Sequence, residues 1–385
     1  MIARAIMEEA RFSLTQFRAL CITGPRQSGK TTLSKALFKG KPYVNFEDPV
    51  TQDLFQKDPK KFLGKFESGA ILDEVQRVPE LFRHLQVLMD NNTSRGQFIL
   101  TGSNNFLLQE QVSQSLAGRA GYLTLLPLSY QELKDTNLLT TDLLTNMLTG
   151  GYPEIWCEKL NPQKWLTSYI QTYIQRDVRQ LKNIANLALF SRFVSICANY
   201  AGQILNRDEL ARQVGVDTKT IQSWLGLLES SYIIFQLQPW HNNLNKRIIK
   251  SPKIYFYDTG LLCTLLNISS KIGIKNHAMT GAIFENWCIS EIKKNKCNDG
   301  EIGGLFYFRD HLGNEIDLII DKETGPLALE IKSASKPDNK LLQGLKYWKK
   351  YQPLANSILL YQGKNVSYSD NNIQFLNWEE LDSIR

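Results

Sequence analysis

Apolar positions along the first 135 residues fall in short continuous runs that alternate with stretches of helical spacing. Arg18–Thr23, Gly69–Val75 and Gln97–Asn105 are such runs, and Thr32–Phe38 carries helical spacing after the first of them. Runs of this kind read as strands covered on both faces, and their alternation with helices predicts an α/β sheet with crossover connections. The pattern changes after Gly150-Gly151-Tyr152-Pro153. Trp165, Tyr169, Ile170, Tyr173 and Ile174 recur at three- and four-residue steps, which predicts a buried helix face. Asn206 with Glu209 three positions on predicts a capped helix ending near Gly215. Asp217 caps a second helix from Thr218 to Ser230, with Ile221, Trp224, Leu225 and Leu228 facing inward. Two strand-like runs follow, Tyr232–Leu237 and Lys253–Tyr257, so the unit reads as a helix-turn-helix with a wing. From about residue 273 an amphipathic helix over Gly281–Glu291 precedes strands over Leu305–Phe308, Asn314–Ile320 and Leu327–Lys332. The expected organisation is an α/β domain over 1–135, a helical segment plus winged-helix module over 136–272, and a second α/β domain over 273–385.

Composition narrows the setting. Hydrophobic residues make up 43% and charged residues 22%, ordinary values for a globular chain. No apolar run approaches the ~18 residues of a membrane span, and the charged N-terminus does not read as a signal peptide. Cys21, Cys157, Cys197, Cys263, Cys288 and Cys297 form no C-x-x-C pair, which argues against a zinc knuckle or disulfide framework. A cytoplasmic protein without a membrane partner is the expectation. The net charge is +7, and residues 151–272 carry +6 of it. That localised basicity is compatible with nucleic-acid contact and equally with a solvated surface.

Gly24-Pro25-Arg26-Gln27-Ser28-Gly29-Lys30-Thr31, with Thr32 following, is G-x-x-x-x-G-K-T between a strand and a helix, the context a phosphate-binding loop requires. Gly24 and Gly29 let backbone N–H groups close around phosphates, and the helix N-terminus adds its dipole. Lys30 reaches the β and γ phosphates, and Thr31 offers a hydroxyl to Mg²⁺. ATP and Mg²⁺ are therefore the expected ligands. Gly69–Val75 ends in Asp73 and Glu74, the form of a Walker B element: Asp73 for the metal, Glu74 for polarising the attacking water. Ser103 and Asn104, at the end of the third run, are candidates to sense the γ-phosphate. Arg119 is a candidate charge stabiliser, within the chain or toward a neighbouring subunit.

GPRQSGKTTL, ILDEVQRVPELF, FILTGSNNFLL, SLAGRAGYLTLLPLS and YIQTYIQRDVRQL occur in that order. Together they resemble a bacterial and archaeal family of AAA-type P-loop ATPases fused to a C-terminal domain of uncharacterised function. The resemblance implies ATP binding and leaves the biological task open. It also makes Arg176, Asp177 and Arg179 a family hallmark whose part lies in contact with the nucleotide region or a neighbouring subunit.

In the middle segment Lys246, Arg247, Lys250 and Lys253 lie on or beside the wing and are the candidate DNA-phosphate contacts. The second helix offers only Lys219 and Gln222 as base readers, and packing against protein is the competing use of such a module. In the tail, Asp317 precedes Glu330 by thirteen residues, and Glu330 shares a strand face with Lys332. This is similar to the D…E-x-K arrangement of restriction-endonuclease-like nucleases. Asp317, Glu330 and the helix-borne Glu285 are then candidate metal ligands, with Lys332 acting on water. Gln343 and Tyr347 resemble the Q-x-x-x-Y element of RecB-type nucleases. The leading reading is a Mg²⁺-dependent ATPase whose nucleotide state controls a winged-helix and nuclease-like tail acting on DNA. The alternative is a nucleotide-driven switch or scaffold that binds protein partners and cuts nothing.

Overall fold

The computed structural model describes residues 2–103, 115–136, 138–140, 142–178, 184, 186–240, 251–336, 339–353, 355–363, 368–370 and 373–384. The first domain is built on five parallel strands: β1 Ala19–Thr23, β2 Tyr43–Asn45, β3 Ala70–Asp73, β4 Phe98–Gly102 and β5 Ala120–Thr124. Their order is β2-β3-β4-β1-β5. β1, β3 and β4 are buried at every position, because helices cover both faces of the sheet. β5, at the edge, alternates buried and half-buried residues. Among the helices are Met7–Gln16, Lys30–Leu37 and Leu81–Asn91. In-register pairing of β1 with β4 brings Thr23 level with Gly102, so the carboxyl ends of the strands share one rim. Ligands of open parallel sheets bind at that rim.

Beyond residue 125 the chain is mostly helical up to Ser230. Tyr169, Ile170, Tyr173 and Ile174 are buried as the spacing predicts, but from Ile170 to Val178 the helix widens to π-helical geometry. Asn206 accepts from the Glu209 N–H, and Asp217 from the Thr220 N–H, so both predicted caps form. Gly215 ends the first of these helices, Arg207–Val214, at φ +90°. That left-handed conformation suits glycine and permits the tight turn into Thr218–Ser230.

Strands β6 Ile234–Pro239 and β7 Lys253–Phe256 pair antiparallel. They do not close a separate module. β6 also pairs with β8 Leu305–Arg309, through Gln238 to Phe306 and Pro239 to Tyr307. The sheet continues through β9 Glu315–Ile320, β10 Leu327–Lys332, β11 Ser357–Tyr361, β12 Tyr368–Asp370 and β13 Ile373–Asn377, in the order β12-β13-β11-β10-β9-β8-β6-β7. One continuous core accordingly runs from Leu128 to Ile384. The helix predicted over Gly281–Glu291 extends over Thr280–Asn298 and is not amphipathic. Asn286, Glu291 and Lys294 are buried with its apolar residues, each hydrogen-bonded inside the protein. Among the described residues no helix is long and apolar enough to cross a membrane.

Candidate functional site

The loop between β1 and Lys30–Leu37 has the shape that its glycines dictate. At Gly24 (φ +148°) a Cβ would overlap the Leu125 carbonyl, and Gly29 (φ +93°) opens the following helix from the left-handed region. Gln27 adopts φ +64°, which is costly for a residue with a side chain and marks a held backbone. Lys30 is buried and folds back on the loop, its Nζ donating to the carbonyls of Gly24 (3.0 Å) and Pro25 (2.8 Å). Burial holds its pKa down to about 8, although Glu74 and Asp73 pull it upward. Ser28 Oγ is buried with no hydrogen-bond partner among the described residues. A loop closed on its own lysine, with an orphaned hydroxyl, suits an anion that takes the ammonium and supplies acceptors.

The end of β3 meets the first turn of the helix Lys30–Leu37. Thr31 Oγ1 donates to Asp73 Oδ2 at 2.9 Å, and Tyr43 O–H donates to the same oxygen at 2.6 Å. The Thr101 hydroxyl, from the intervening β4, donates to Asp73 Oδ1. Glu74 turns to φ +55°, so its carboxylate leaves the direction of Asp73. Glu74 Oε2 accepts from Gln76 Nε2 (2.5 Å) and Ser103 Oγ (3.2 Å). Asp73 and Thr31 are thus paired as joint holders of a divalent ion would be, and the hard oxygen donors suit Mg²⁺. Beside the loop lies a cavity of about 400 Å³ whose lining includes Ile2, Arg4, Gln27, Leu128, Pro153 and Glu154. Its size and mixed polarity fit a nucleoside.

Of the residues anticipated from sequence, Gly24 to Thr32, Asp73, Glu74 and Ser103 come together at this rim. Asn104 lies outside the described residues. Arg119 is placed elsewhere. β1 and β5 pair in register from Ala19–Ala120 to Thr23–Thr124, so Arg119 lies at the sheet edge opposite Gly24. Its guanidinium is gripped by Asp90 at 2.7 and 2.9 Å. Tyr43 and Arg4 belong to the site and carry no motif, and Thr101 and Gln76 join it from within the quoted stretches without having been singled out.

The predicted basic wing divides. Lys246, Arg247 and Lys250 lie outside the described residues. Lys253 is corrected: its side chain is 3% exposed and is committed to Glu285 (3.2 Å) and Glu315 (2.5 Å). A buried ammonium with two carboxylates is not available to a DNA backbone.

The tail acids and lysine do assemble. Lys332 Nζ donates to Asp317 Oδ2 (2.9 Å) and Glu330 Oε2 (2.7 Å), and the Ile331 N–H adds a bond to Asp317. Burial, and then the neighbouring Asp317, push Glu330 up to about 9. Burial acts against the Asp317 charge too, but Lys332 and Lys253 outweigh it and keep that carboxyl below its usual range. Glu285 accepts from Tyr255 O–H (2.6 Å) and Lys253. Asp317 and Glu330 are thus joined through Lys332, and Glu285 is joined to Lys253. Two ammonium groups stand among the acids, and no set of three metal-ligating side chains converges among the described residues. Tyr347, of the Q-x-x-x-Y match, donates to Asp310 at 2.5 Å.

Comparison with known proteins agrees with the first domain and leaves the rest open. Residues 16–134 match the family model of an AAA domain. Residues 140–272 and 280–381 match two domains of unknown function, DUF8612 and DUF4143. An uncharacterised protein of Mycobacterium tuberculosis is 34% identical over 331 residues, covering 85% of this chain and 73% of its own. One from Methanocaldococcus jannaschii is 23% identical over 368 residues, covering 87% and 80%. Among solved structures, a Walker-type ATPase of Pyrococcus abyssi is similar at 16% identity and a TM-score of 0.48, covering 69% of this chain and 96% of that one.

Proposed function

The chain belongs to the family of AAA-domain proteins that includes the mycobacterial relative, and on that premise we propose that it binds ATP with Mg²⁺ and hydrolyses it. The observation that carries the reading is the convergence of Lys30, Thr31, Asp73 and Glu74 on one rim of a parallel sheet. Thr31 and Asp73 would hold Mg²⁺, which would neutralise phosphate charge when bound. Lys30 exchanges the Gly24 and Pro25 carbonyls for phosphate oxygens. Glu74, steadied by Gln76 and Ser103, orients and deprotonates the attacking water.

The nucleotide state then acts on the tail as a switch. The Arg207–Val214 and Thr218–Ser230 helices, with β6 and β7, make a winged-helix-like unit whose strands are absorbed into the tail sheet. DNA contact by this unit rests on Lys246, Arg247 and Lys250. Lys253, ion-paired with Glu285 and Glu315, takes up an acid that a cleaving site would need for its metal, which favours a nuclease-like fold that does not cleave. Glu74→Gln should leave ATP affinity within about twofold and lower turnover ~10²–10⁴-fold, as loss of a general base does. Turnover at the wild-type rate would refute the assignment. Magnesium-dependent loss of DNA in the presence of ATP would restore the nuclease reading.

A further inference from the structure

Arg4 lies outside the phosphate-binding signature, in the segment ahead of the first helix, yet it is built into the loop. Its side chain is 8% exposed and makes three directed bonds. Nε donates to Glu132 Oε1 at 2.8 Å, Nη1 to the Ser28 carbonyl at 2.7 Å and Nη2 to the Leu126 carbonyl at 2.7 Å. Glu132 is itself 2% exposed. Its Oε1 also accepts from the Ala5 N–H, and its Oε2 from the Ser129 N–H, each at 2.8 Å. The Ser129 side chain in return caps the helix Tyr130–Lys134, at the end of the first domain.

The Ser28 bond has a directional consequence. A planar trans peptide points its C=O and the following N–H in opposite directions. Arg4 holds the Ser28 carbonyl, so the Gly29 N–H is turned to the other side of the loop, away from Arg4. Gly29 is also the left-handed residue at which the loop becomes helix, and so the one most able to swing if released. Only a planar fork of donors reaches a loop carbonyl, a strand-end carbonyl and a carboxylate together.

We propose that Arg4 is a positioning residue for phosphate recognition: by fixing the Ser28–Gly29 peptide it aims the Gly29 N–H at the nucleotide phosphates. Through Glu132 the same contact makes phosphate affinity depend on how the helix Tyr130–Lys134 is seated. The proposal rests on the nucleotide reading given above.

The test measures ADP binding to the full chain by calorimetry, and the β-phosphorus resonance of the bound ADP by phosphorus NMR. Arg4→Ala should weaken ADP about tenfold or more, the scale of a lost hydrogen bond from a charged group. The β-phosphorus resonance should move as the N–H turns away. Arg4→Lys, which keeps the charge and the stem, should fold even where Arg4→Ala does not, and should recover less than half of the lost affinity. Glu132→Gln, which leaves an acceptor for Arg4, should shift the resonance in the same direction by less. ADP bound at wild-type affinity by the Arg4 variants overturns the proposal. So does a loss of affinity with the resonance unmoved, because a purely structural role predicts that. Failure of the wild type itself to bind ADP, or undiminished binding by Lys30→Ala, overturns the nucleotide reading instead.

Discussion

Lys253→Met removes a buried cation from an ion cluster while nearly keeping the volume of the side chain. The lysine is 3% exposed and holds Glu285 at 3.2 Å and Glu315 at 2.5 Å. Glu315 keeps a second cation, Arg309, at 3.1 Å, so the loss falls mainly on Glu285. Glu285 retains the Tyr255 hydroxyl at 2.6 Å. An uncompensated buried charge costs ~3–5 kcal/mol. Glu285 has an escape, which is to take up a proton. From an ordinary carboxyl pKa near ~4.3, that costs about 1.4 kcal/mol per pH unit, or ~3.7 kcal/mol at pH 7. The destabilisation at neutral pH should therefore be at most about 3.7 kcal/mol, and smaller to the extent that the wild-type carboxyl is already raised. Burial already pushes the Glu285 carboxyl up in the wild type, with Lys253 pulling it down. Without Lys253 its folded pKa rises further above the unfolded value. A raised carboxyl pKa costs stability at high pH, and the cost is relieved as pH falls from the folded toward the unfolded value. The difference between variant and wild type should thus shrink by up to about 1.4 kcal/mol per pH unit below neutral, and Glu285→Gln in the Lys253→Met background should recover most of it. Urea denaturation of the tail, followed by tryptophan fluorescence at several pH values, reads this directly. A difference that does not vary with pH, or a double variant no more stable than Lys253→Met, would refute the reasoning.

Two further outcomes follow from single features. Burial lowers Lys30 to about 8, and only its charged form attracts phosphate, so ADP affinity should be level below that pH and fall by up to about tenfold per unit above it. Calorimetry across that range checks it, and a level profile up to pH ~9.5 would count against Lys30 as the phosphate cation. A Cβ at Gly344 would overlap the Glu330 carboxylate and the Glu315 carbonyl. Gly344→Ala should accordingly cost ~1–3 kcal/mol in thermal denaturation and leave ADP binding unchanged.

How much of this was legible follows from what kind of signal each residue leaves. The phosphate loop is contiguous, and its glycines, lysine and threonine are required at fixed spacing, so the whole cradle could be read from one stretch. The Asn206 and Asp217 caps were legible for the same reason: cap and partner are three residues apart. Tyr43 and Thr101 were not, because they reach Asp73 from other strands, and a tyrosine or threonine in a strand is ordinary there. Lys253 misled. Charged residues next to a basic stretch suggest a solvated wing, and alternation along a strand is the usual guide to which side faces water. β7 is buried at all four positions, so alternation carried no information, and the acids that claim Lys253 lie 32 and 62 residues away. The amphipathic reading of Gly281–Glu291 failed likewise, since Glu291 and Lys294 pair with each other at 2.7 Å inside the protein.

Those buried polar residues define how a nucleotide-driven switch would be wired. Glu291 Oε2 accepts from the Tyr130 N–H at 2.6 Å, at the first turn of the helix that Ser129 and Glu132 cap. Lys294 donates to the Leu128 carbonyl at 3.2 Å, and the Leu128 N–H donates to the Gly151 carbonyl at 2.7 Å. Asp258 accepts from the Gly151 N–H at 2.7 Å. The Thr280–Asn298 helix is therefore held at one end by the segment that also grips Arg4 and the phosphate loop. Six residues earlier, about 9 Å along its axis, it carries Glu285 into the Lys253 cluster of the tail. Buried hydrogen bonds to charged groups are costly to leave unmade, so this helix cannot shift at one end while its partners stay fixed at the other. Under the proposed nucleotide switch, a change in the loop would reach the tail sheet through these buried side-chain bonds.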